Sequence, residues 1–240
     1  FLDIKNFSKQ LDFFEKNYGF VDFDEWESFV MKGIMPDTKG KVILTFDDAM
    51  SCHFSYVFDE LIKRNLWGIF YVPTSPYINK KILDVHRIHL LCGAFEGKDL
   101  IYTLESIIDE KMIPDNKIID FKRTYTDQKN LFGISDFKRI LNYYISYDYR
   151  TKVIDDIAGK FSYSFDVDNF YVKLNNLKKM INSGMIIGSH TENHPLMSKL
   201  NKNEQSKEIS NSFDFLLNSK LVKQKTYCHP YGGFHSFNNH

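Results

Sequence analysis

Two adjacent carboxylates, Asp47 and Asp48, follow the short apolar run KVILTF at residues 41–46. The run is partly β-branched and follows Gly40, which favours a buried strand over a helix. Two like charges side by side raise the cost of ionising each other, and burial raises that cost further. The pair therefore needs a cation or solvent to compensate its charge.

Two histidines offer a way to hold such a cation. His190 and His194 lie in the segment GSHTENHPL, directly after an apolar stretch. Pro195 disfavours helical geometry at His194, so we expect a strand end that runs into a turn, from which both rings can converge on one point. Two imidazoles and one carboxylate form the three-ligand set, with an open position, of a catalytic zinc-like ion. The sequence thus predicts that Asp48, His190 and His194 bind a metal and that Asp47 stays unligated as a base.

The elements that must position these residues alternate between strand and helix. Helical spacing of apolar residues predicts helices at 4–17, 54–65, 170–184 and about 201–218, and apolar runs predict strands at 41–46, 67–73, 185–190 and 226–232. This order indicates a parallel sheet with helices packed outside it. Since loops after parallel strands gather on one face, the acidic pair and the histidine pair can meet there.

Residues 80–165 break the alternation. Helical patterns around 86–95, 99–110, 134–145 and 148–160 follow one another without a convincing strand between them. We interpret this stretch as a helical insertion that forms a wall or lid beside the site, and packing without any other role is the alternative. His86 and His89 lie three residues apart on one of its helices and are candidates to approach the site.

Composition limits the function classes. The chain has 240 residues, 43% hydrophobic, and its 31 Lys and Arg balance 31 Asp and Glu, so nucleic acid and anionic lipid are unexpected partners. Cys52, Cys92 and Cys228 form no CxxC pattern and are expected to be buried, reduced thiols, which slightly favours the cytoplasm. No transmembrane segment is predicted. The chain starts at Phe1, so removal of a leader or an earlier segment is compatible with it.

Three motifs carry a family resemblance. TFDDA, SHTENH and HPYGG, each after a predicted strand, resemble in this order the first three motifs of the polysaccharide deacetylase superfamily, that is, carbohydrate esterase family four with its nodulation-type deacetylase homology domain. The resemblance covers about residues 41–75 and 170–233. It implies an α/β fold, a distorted (β/α) barrel, here with the helical insertion at about 80–165 in a single catalytic domain spanning 1–240.

The resemblance also implies an activity and assigns roles. It implies one divalent ion, most often Zn²⁺, and removal of acetyl groups from N-acetylated sugars. Asp47 matches the catalytic base, and Asp48, His190 and His194 match the metal ligands. Tyr231 matches the residue whose backbone N–H helps to hold the oxyanion. We therefore expect a metal-dependent hydrolase that removes an N-acetyl group from an amino sugar in a glycan, glycolipid or sugar precursor.

The sequence departs from the family pattern in four places. Cys228 stands where an arginine often contacts the base, and His229 stands in place of an aromatic residue, as a polar contact or as packing. Ala49 replaces the usual glycine. The late motif whose histidine protonates the leaving group has no counterpart, and we expect a missing C-terminal segment, because the barrel would otherwise expose a sheet edge. His235 is a candidate substrate or acid contact.

Other functions stay open on the sequence alone. The same site suits release of another acyl group, such as formyl. The missing arginine and late histidine also fit a pseudo-enzyme that keeps the ion and only binds carbohydrate, and a structural domain with a solvated acidic pair is a third alternative. The sugar, the preferred ion, the oligomeric state and the compartment are not determined by these patterns.

Overall fold

The computed structural model of the chain describes residues 3–35 and 40–238. The α-helices of this part are α1 (Ile4–Asn17), α2 (Phe23–Lys32), α3 (Asp59–Lys63), α4 (Ser75–Asn79), α5 (Asp84–Ala94), α6 (Gly97–Glu105), α7 (Asp115–Phe121), α8 (Ile134–Arg139), α9 (Tyr147–Lys160), α10 (Leu174–Asn182) and α11 (Lys202–Asn218). The strands are β1 (Thr45–Asp47), β2 (Ile69–Val72) and β3 (Ile186–Ser189). Two π-helical segments, His53–Phe58 and Ile140–Tyr144, and two 3₁₀ turns, Glu110–Met112 and Met197–Lys199, complete the set.

The chain divides into two compact units. Unit 1 comprises Phe1–Thr74, Asn169–Glu192 and Glu208–Cys228, and unit 2 comprises Ser75–Asp168, Asn193–Lys207 and His229–His240. A single catalytic domain over residues 1–240 stays a prediction. Within the described ranges, no helix is both long and apolar enough to cross a membrane.

Unit 1 is built on a parallel sheet, as the β–α–β order predicted. Its described strands run in the order β1-β2-β3. The prediction of a buried strand at 41–46 is only partly right, because β1 is limited to three residues and two of them, Thr45 and Asp47, are exposed. The strand predicted at 226–232 is reduced to a single bridge between Ser189 and Tyr227.

The unit 1 core packs aromatic rings from α2 against one face of this sheet. Val21, Trp26, Ile69 and Ile186 form a buried cluster, with Trp67 packed beside it. The Trp67 indole N–H donates to the Val21 carbonyl at 2.8 Å, which satisfies its polar atom inside the cluster. The cluster thus packs against Ile69 and Ile186, the first residues of β2 and β3.

Unit 2 contains the stretch predicted as a helical insertion, and helices occur at all four predicted places. The helix predicted at 99–110 ends at Glu105, the one at 134–145 continues as a π-helix from Ile140, and α7 was not predicted. Between residues 80 and 165, all of which are described, no strand occurs. One apolar cluster joins four helices, with buried Ile88, Leu91, Leu100, Leu104, Phe137, Ile154 and Ile157 among its members. Asp84 at the start of α5 ties it to α9, because its carboxylate accepts from Arg150 at 3.3 Å and from Thr151 at 2.6 Å.

Candidate active site

The strand ends of unit 1 bring the predicted residues together. Asp47 is the last residue of β1, Asp48 follows it, and His190 follows β3. Parallel register sets Asp47 level with Tyr71 of β2, and Tyr71 level with Gly188 of β3. Because the carboxyl ends of parallel strands share one edge of the sheet, the acidic pair and His190 lie at that edge.

His190 is oriented by a hydrogen bond to the backbone. Its Nδ1 lies 2.9 Å from the carbonyl oxygen of Cys228, and since a carbonyl only accepts, Nδ1 carries the proton. Nε2 is then the basic nitrogen, and it lies 3.7 Å from Asp48 Oδ1. The ring is 2% exposed. Histidines that bind metals usually donate their second N–H in this way, so this geometry fits a ligand pair.

Asp47 lies beside His190 and Cys228 in the same unit. One possible ligand atom from each of these three residues lies within 4.8 Å of the others, so this group of side chains could also hold an ion. Crowding by protein atoms raises the pKa of Asp47, the charge of Asp48 adds to the rise, and His190 opposes it. A carboxyl with a raised pKa accepts a proton more readily than an ordinary aspartate.

Cys228 takes the position that the family pattern gives to arginine. Its Sγ lies 3.9 Å from Asp47 Oδ2. Burial, followed by the charge of Asp47, raises the pKa of this thiol to about 11, so it stays protonated at neutral pH and can donate to the carboxylate. A neutral donor therefore stands where the family often has a cation.

Several residues of interest hold a left-handed backbone. In unit 1, φ is 77° at Asp48, 52° at Ala49 and 66° at Thr191; in unit 2 it is 54° at His194 and 68° at Tyr231. For residues other than glycine this region costs about 1–2 kcal/mol each. Such strain concentrates at functional sites. It also explains why a glycine is usual at position 49, where this chain has alanine.

His194 belongs to unit 2, where it contacts Tyr231. It is 5% exposed. Its ring centroid lies 5.1 Å from that of Tyr231 and 6.1 Å from that of His86 on α5. The Tyr231 hydroxyl donates to Asn142 Oδ1 at 3.2 Å, and burial raises its pKa well above the ordinary value. The sequence indicated only the backbone N–H of Tyr231, so this side-chain anchoring was missed.

Two of the remaining candidate histidines, His229 and His235, contact aromatic residues of unit 2. The His229 ring packs on Phe237 at 5.2 Å. His235 Nε2 lies 3.3 Å from the Tyr143 hydroxyl, and burial lowers the pKa of this histidine. His53 follows the acidic pair, and burial lowers its pKa to about 4, so it is neutral at physiological pH. A role for His229 or His235 in binding substrate stays a prediction.

Tyr71 is a residue at the strand ends that sequence reasoning did not single out. Its ring centroid lies 6.5 Å from that of His190. Burial raises the pKa of its hydroxyl, and Cys228 and Asp47 contribute to the rise. The available signal was a polar residue in the otherwise apolar strand WGIFYVP, at a position that a strand places close to its carboxyl end.

Comparisons with known proteins agree with the motifs. Residues 159–238 match the family model described as polysaccharide deacetylase. No curated protein sequence matches the chain. Similar solved structures include a Streptococcus pyogenes deacetylase, PplD, in complex with acetate, and IcaB from Ammonifex degensii.

Each of these two similarities has a TM-score of 0.50 at 16% identity and covers 98% of this chain, which spans 66% of the PplD chain and 70% of the IcaB chain. At this identity the similarity shows the fold alone. The family match covers a third of the chain and includes the motifs SHTENH and HPYGG, so this part of the chain is similar to polysaccharide deacetylases.

Proposed function

We propose that this protein is a metal-dependent hydrolase that removes an N-acetyl group from an amino sugar in a glycan, glycolipid or sugar precursor. The observation that carries the proposal is the His190 ring, which donates one N–H to the Cys228 carbonyl and points its basic nitrogen 3.7 Å from Asp48. A carboxylate after β1 and a buried, oriented imidazole after β3 fit half of a zinc site.

The ion would be held by Asp48, His190 and His194. His194 follows His190 by four residues, and a chain of that length reaches at most about 14 Å, which keeps the second imidazole within range of the first. One oxygen and two nitrogens match the ligand set of catalytic zinc, so Zn²⁺ is the ion we propose. When bound, the ion supplies Lewis-acid polarisation of the acyl oxygen and lowers the pKa of water.

Asp47 acts as the general base. Its raised pKa brings it closer to that of an efficient base near neutral pH, and it takes the proton of the water that attacks the acyl carbon. The Cys228 thiol holds one oxygen of this carboxylate and leaves the other for the proton. The C–N bond then breaks, and the proton on Asp47 is available to the leaving nitrogen.

The backbone N–H of Tyr231 donates to the acyl oxygen as negative charge develops there. One such donor contributes about 3–4 kcal/mol to transition-state stabilisation in other acyl-transfer enzymes. His229 and His235 are proposed as substrate contacts. The similarity of fold to solved deacetylases supports a distorted (β/α) barrel, in which β1, β2, β3 and the bridged residue Tyr227 supply successive strand positions.

The direct test measures acetate release from N-acetylglucosamine oligomers by the purified protein, with and without a chelator, together with elemental analysis. We expect about one divalent ion per chain and chelator-sensitive acetate release. Bound metal and oligosaccharide binding without acetate release would favour the carbohydrate-binding pseudo-enzyme, which the replacement of arginine by Cys228 makes the second candidate. Formate release from N-formyl sugars alone would instead identify another acyl group.

Substitution of Asp48 tests the ligand set. Asp48→Ala removes the carboxylate that faces His190, so we expect purified protein that retains no stoichiometric ion and releases no acetate. Neighbouring Asp59→Ala, at the start of α3, removes an acidic side chain outside the site and serves as the matched control. If the Asp48→Ala protein bound as much zinc as wild type, Asp48 would not be a metal ligand.

A further inference from the structure

We infer that His86, on α5 of the helical insertion, is a positioning residue that fixes the ring of His194 for metal binding. This inference rests on the proposed function, because it concerns the imidazole assigned to the ion there. It gives the insertion a role in the metal centre and goes beyond the family motifs, none of which includes His86.

The two rings are buried together within unit 2. His86 and His194 are each 5% exposed, and their centroids lie 6.1 Å apart with planes inclined by 44°. Tyr231 contacts the same ring of His194 at 5.1 Å, inclined by 54°. His194 is therefore packed against aromatic groups from two segments that are far apart in the sequence.

Both neighbours of His194 are held by rigid elements. Helix α5 contributes Ile88 and Leu91, fully buried, to the unit 2 core. Tyr231 is 5.7 Å from the ring of Tyr143, and its hydroxyl donates to Asn142 in the π-helical segment. Side chains fixed in this way can hold a ligand in one orientation, which a metal site requires.

His194 itself lies in an irregular segment. It lies outside any helix or strand, its φ is 54°, and Pro195 follows it. An imidazole on an irregular segment must lose its rotamer freedom when it binds an ion, and that loss weakens binding. Packing against His86 restricts the ring before the ion arrives, so less conformational entropy is lost when the ion binds.

Zinc affinity of the metal-free full chain is the test, because it does not depend on turnover. The protein is stripped with a chelator, and Zn²⁺ is titrated against a chromophoric competitor. His86→Leu fills the space without a ring, His86→Phe keeps a ring, and His89→Ala removes the exposed histidine of the same helix. Circular dichroism compares the helix content of all variants.

We expect His86→Leu to raise the Kd for Zn²⁺ about tenfold or more, His86→Phe to stay within about threefold of wild type, and His89→Ala to leave it unchanged. Equal affinity in wild type and a folded His86→Leu protein would overturn the inference and leave the proposed function standing. Equal weakening by His86→Phe would also overturn it, since ring packing would not be the cause. A wild-type chain that binds no zinc would overturn the proposed function and the inference with it.

Discussion

Unit 1 and unit 2 hold their reactive side chains by different means. In unit 1, parallel register sets Asp47 level with Tyr71 and Tyr71 level with Gly188, so backbone hydrogen bonds between strands fix the spacing. In unit 2, His194 and Tyr231 lie outside helices and strands, and their rings are oriented by side-chain packing. Substitutions at the unit 1 strand ends should therefore alter chemistry or strand spacing, whereas those in unit 2 should act through orientation and stability.

The largest expected effect belongs to Asp47. Asp47→Asn keeps the shape of the side chain but removes the base, so we expect turnover to fall by about 10²–10⁴-fold while zinc content stays near that of wild type. The measurement is acetate release under single-turnover conditions, with metal analysis of the same samples. An Asp47→Asn protein that keeps wild-type turnover would contradict the assignment of the base.

The next effect concerns strand spacing in unit 1. A Cβ on Gly188 would lie 2.7 Å from Cδ1 of Tyr71 and would also collide with the side chain of Thr226. Gly188→Ala should therefore lower the free energy of unfolding by about 1–3 kcal/mol, as overpacking does elsewhere, and displace Tyr71 from the site. Urea unfolding measures the loss.

At Gly159, on α9 of unit 2, we expect an alanine substitution to change the free energy of unfolding in the opposite direction. Nothing lies within 4 Å of a Cβ there, so Gly159→Ala should raise the free energy of unfolding by up to about 1 kcal/mol through helix propensity. If both alanine variants were equally stable, the close approach of Tyr71 to β3 would not be a constraint on the sheet.

Apolar periodicity predicted regular elements in both units, because it reports local structure and not remote contacts. Helix α1 and strands β2 and β3 were predicted, since their apolar spacing is regular over the whole element. Helix α2 was missed although Glu25 caps the N–H of Asp22 and Gly33 ends the helix in a left-handed conformation. Those capping signals were present in the sequence.

The site shows the same limit. The meeting of Asp48 and His190 followed from the rule for parallel strand ends, which requires only that each residue comes after its strand. The packing of His86 on His194 depends on how α5 sits in the unit 2 core, and no spacing in the sequence encodes it. The π-helical form of His53–Phe58, where apolar spacing predicted an α-helix, has no evident physical cause in the contacts of that segment.

A smaller effect tests how unit 2 tolerates a buried charge. Lys199 Nζ donates to the Ile145 carbonyl at 2.6 Å and lies 4.4 Å from the Tyr147 ring centroid. Burial, with Arg150 and Lys117 nearby, lowers the pKa of Lys199 to about 7. Between this value and the unfolded value of about 10.4, the unfolded chain holds a proton that the folded protein has released, so stability rises with pH through that window.

Lys199→Met removes this penalty. At about pH 6 the variant should be more stable than wild type by about 1–2 kcal/mol, after allowance for the lost hydrogen bond, and its advantage should shrink towards about pH 9. Thermal unfolding at several pH values measures the difference. Lys152→Met, an exposed position on α9, is the control and should show no such trend. An advantage that grows with pH would contradict the depressed pKa.

The smallest expected effect concerns the hydrogen bond from the Cys228 thiol to Asp47. Cys228→Ala removes the donor that lies 3.9 Å from Asp47 Oδ2, and a single hydrogen bond of about 1 kcal/mol corresponds to roughly a fivefold fall in kcat. Cys228→Ser keeps a donor and should recover most of that loss. KM and zinc content should stay constant in both, because the backbone carbonyl that orients His190 is unchanged. If Cys228→Ala turned over as fast as wild type, the contact between the thiol and Asp47 would contribute nothing to turnover, and the replacement of the family's arginine by cysteine would carry no catalytic role.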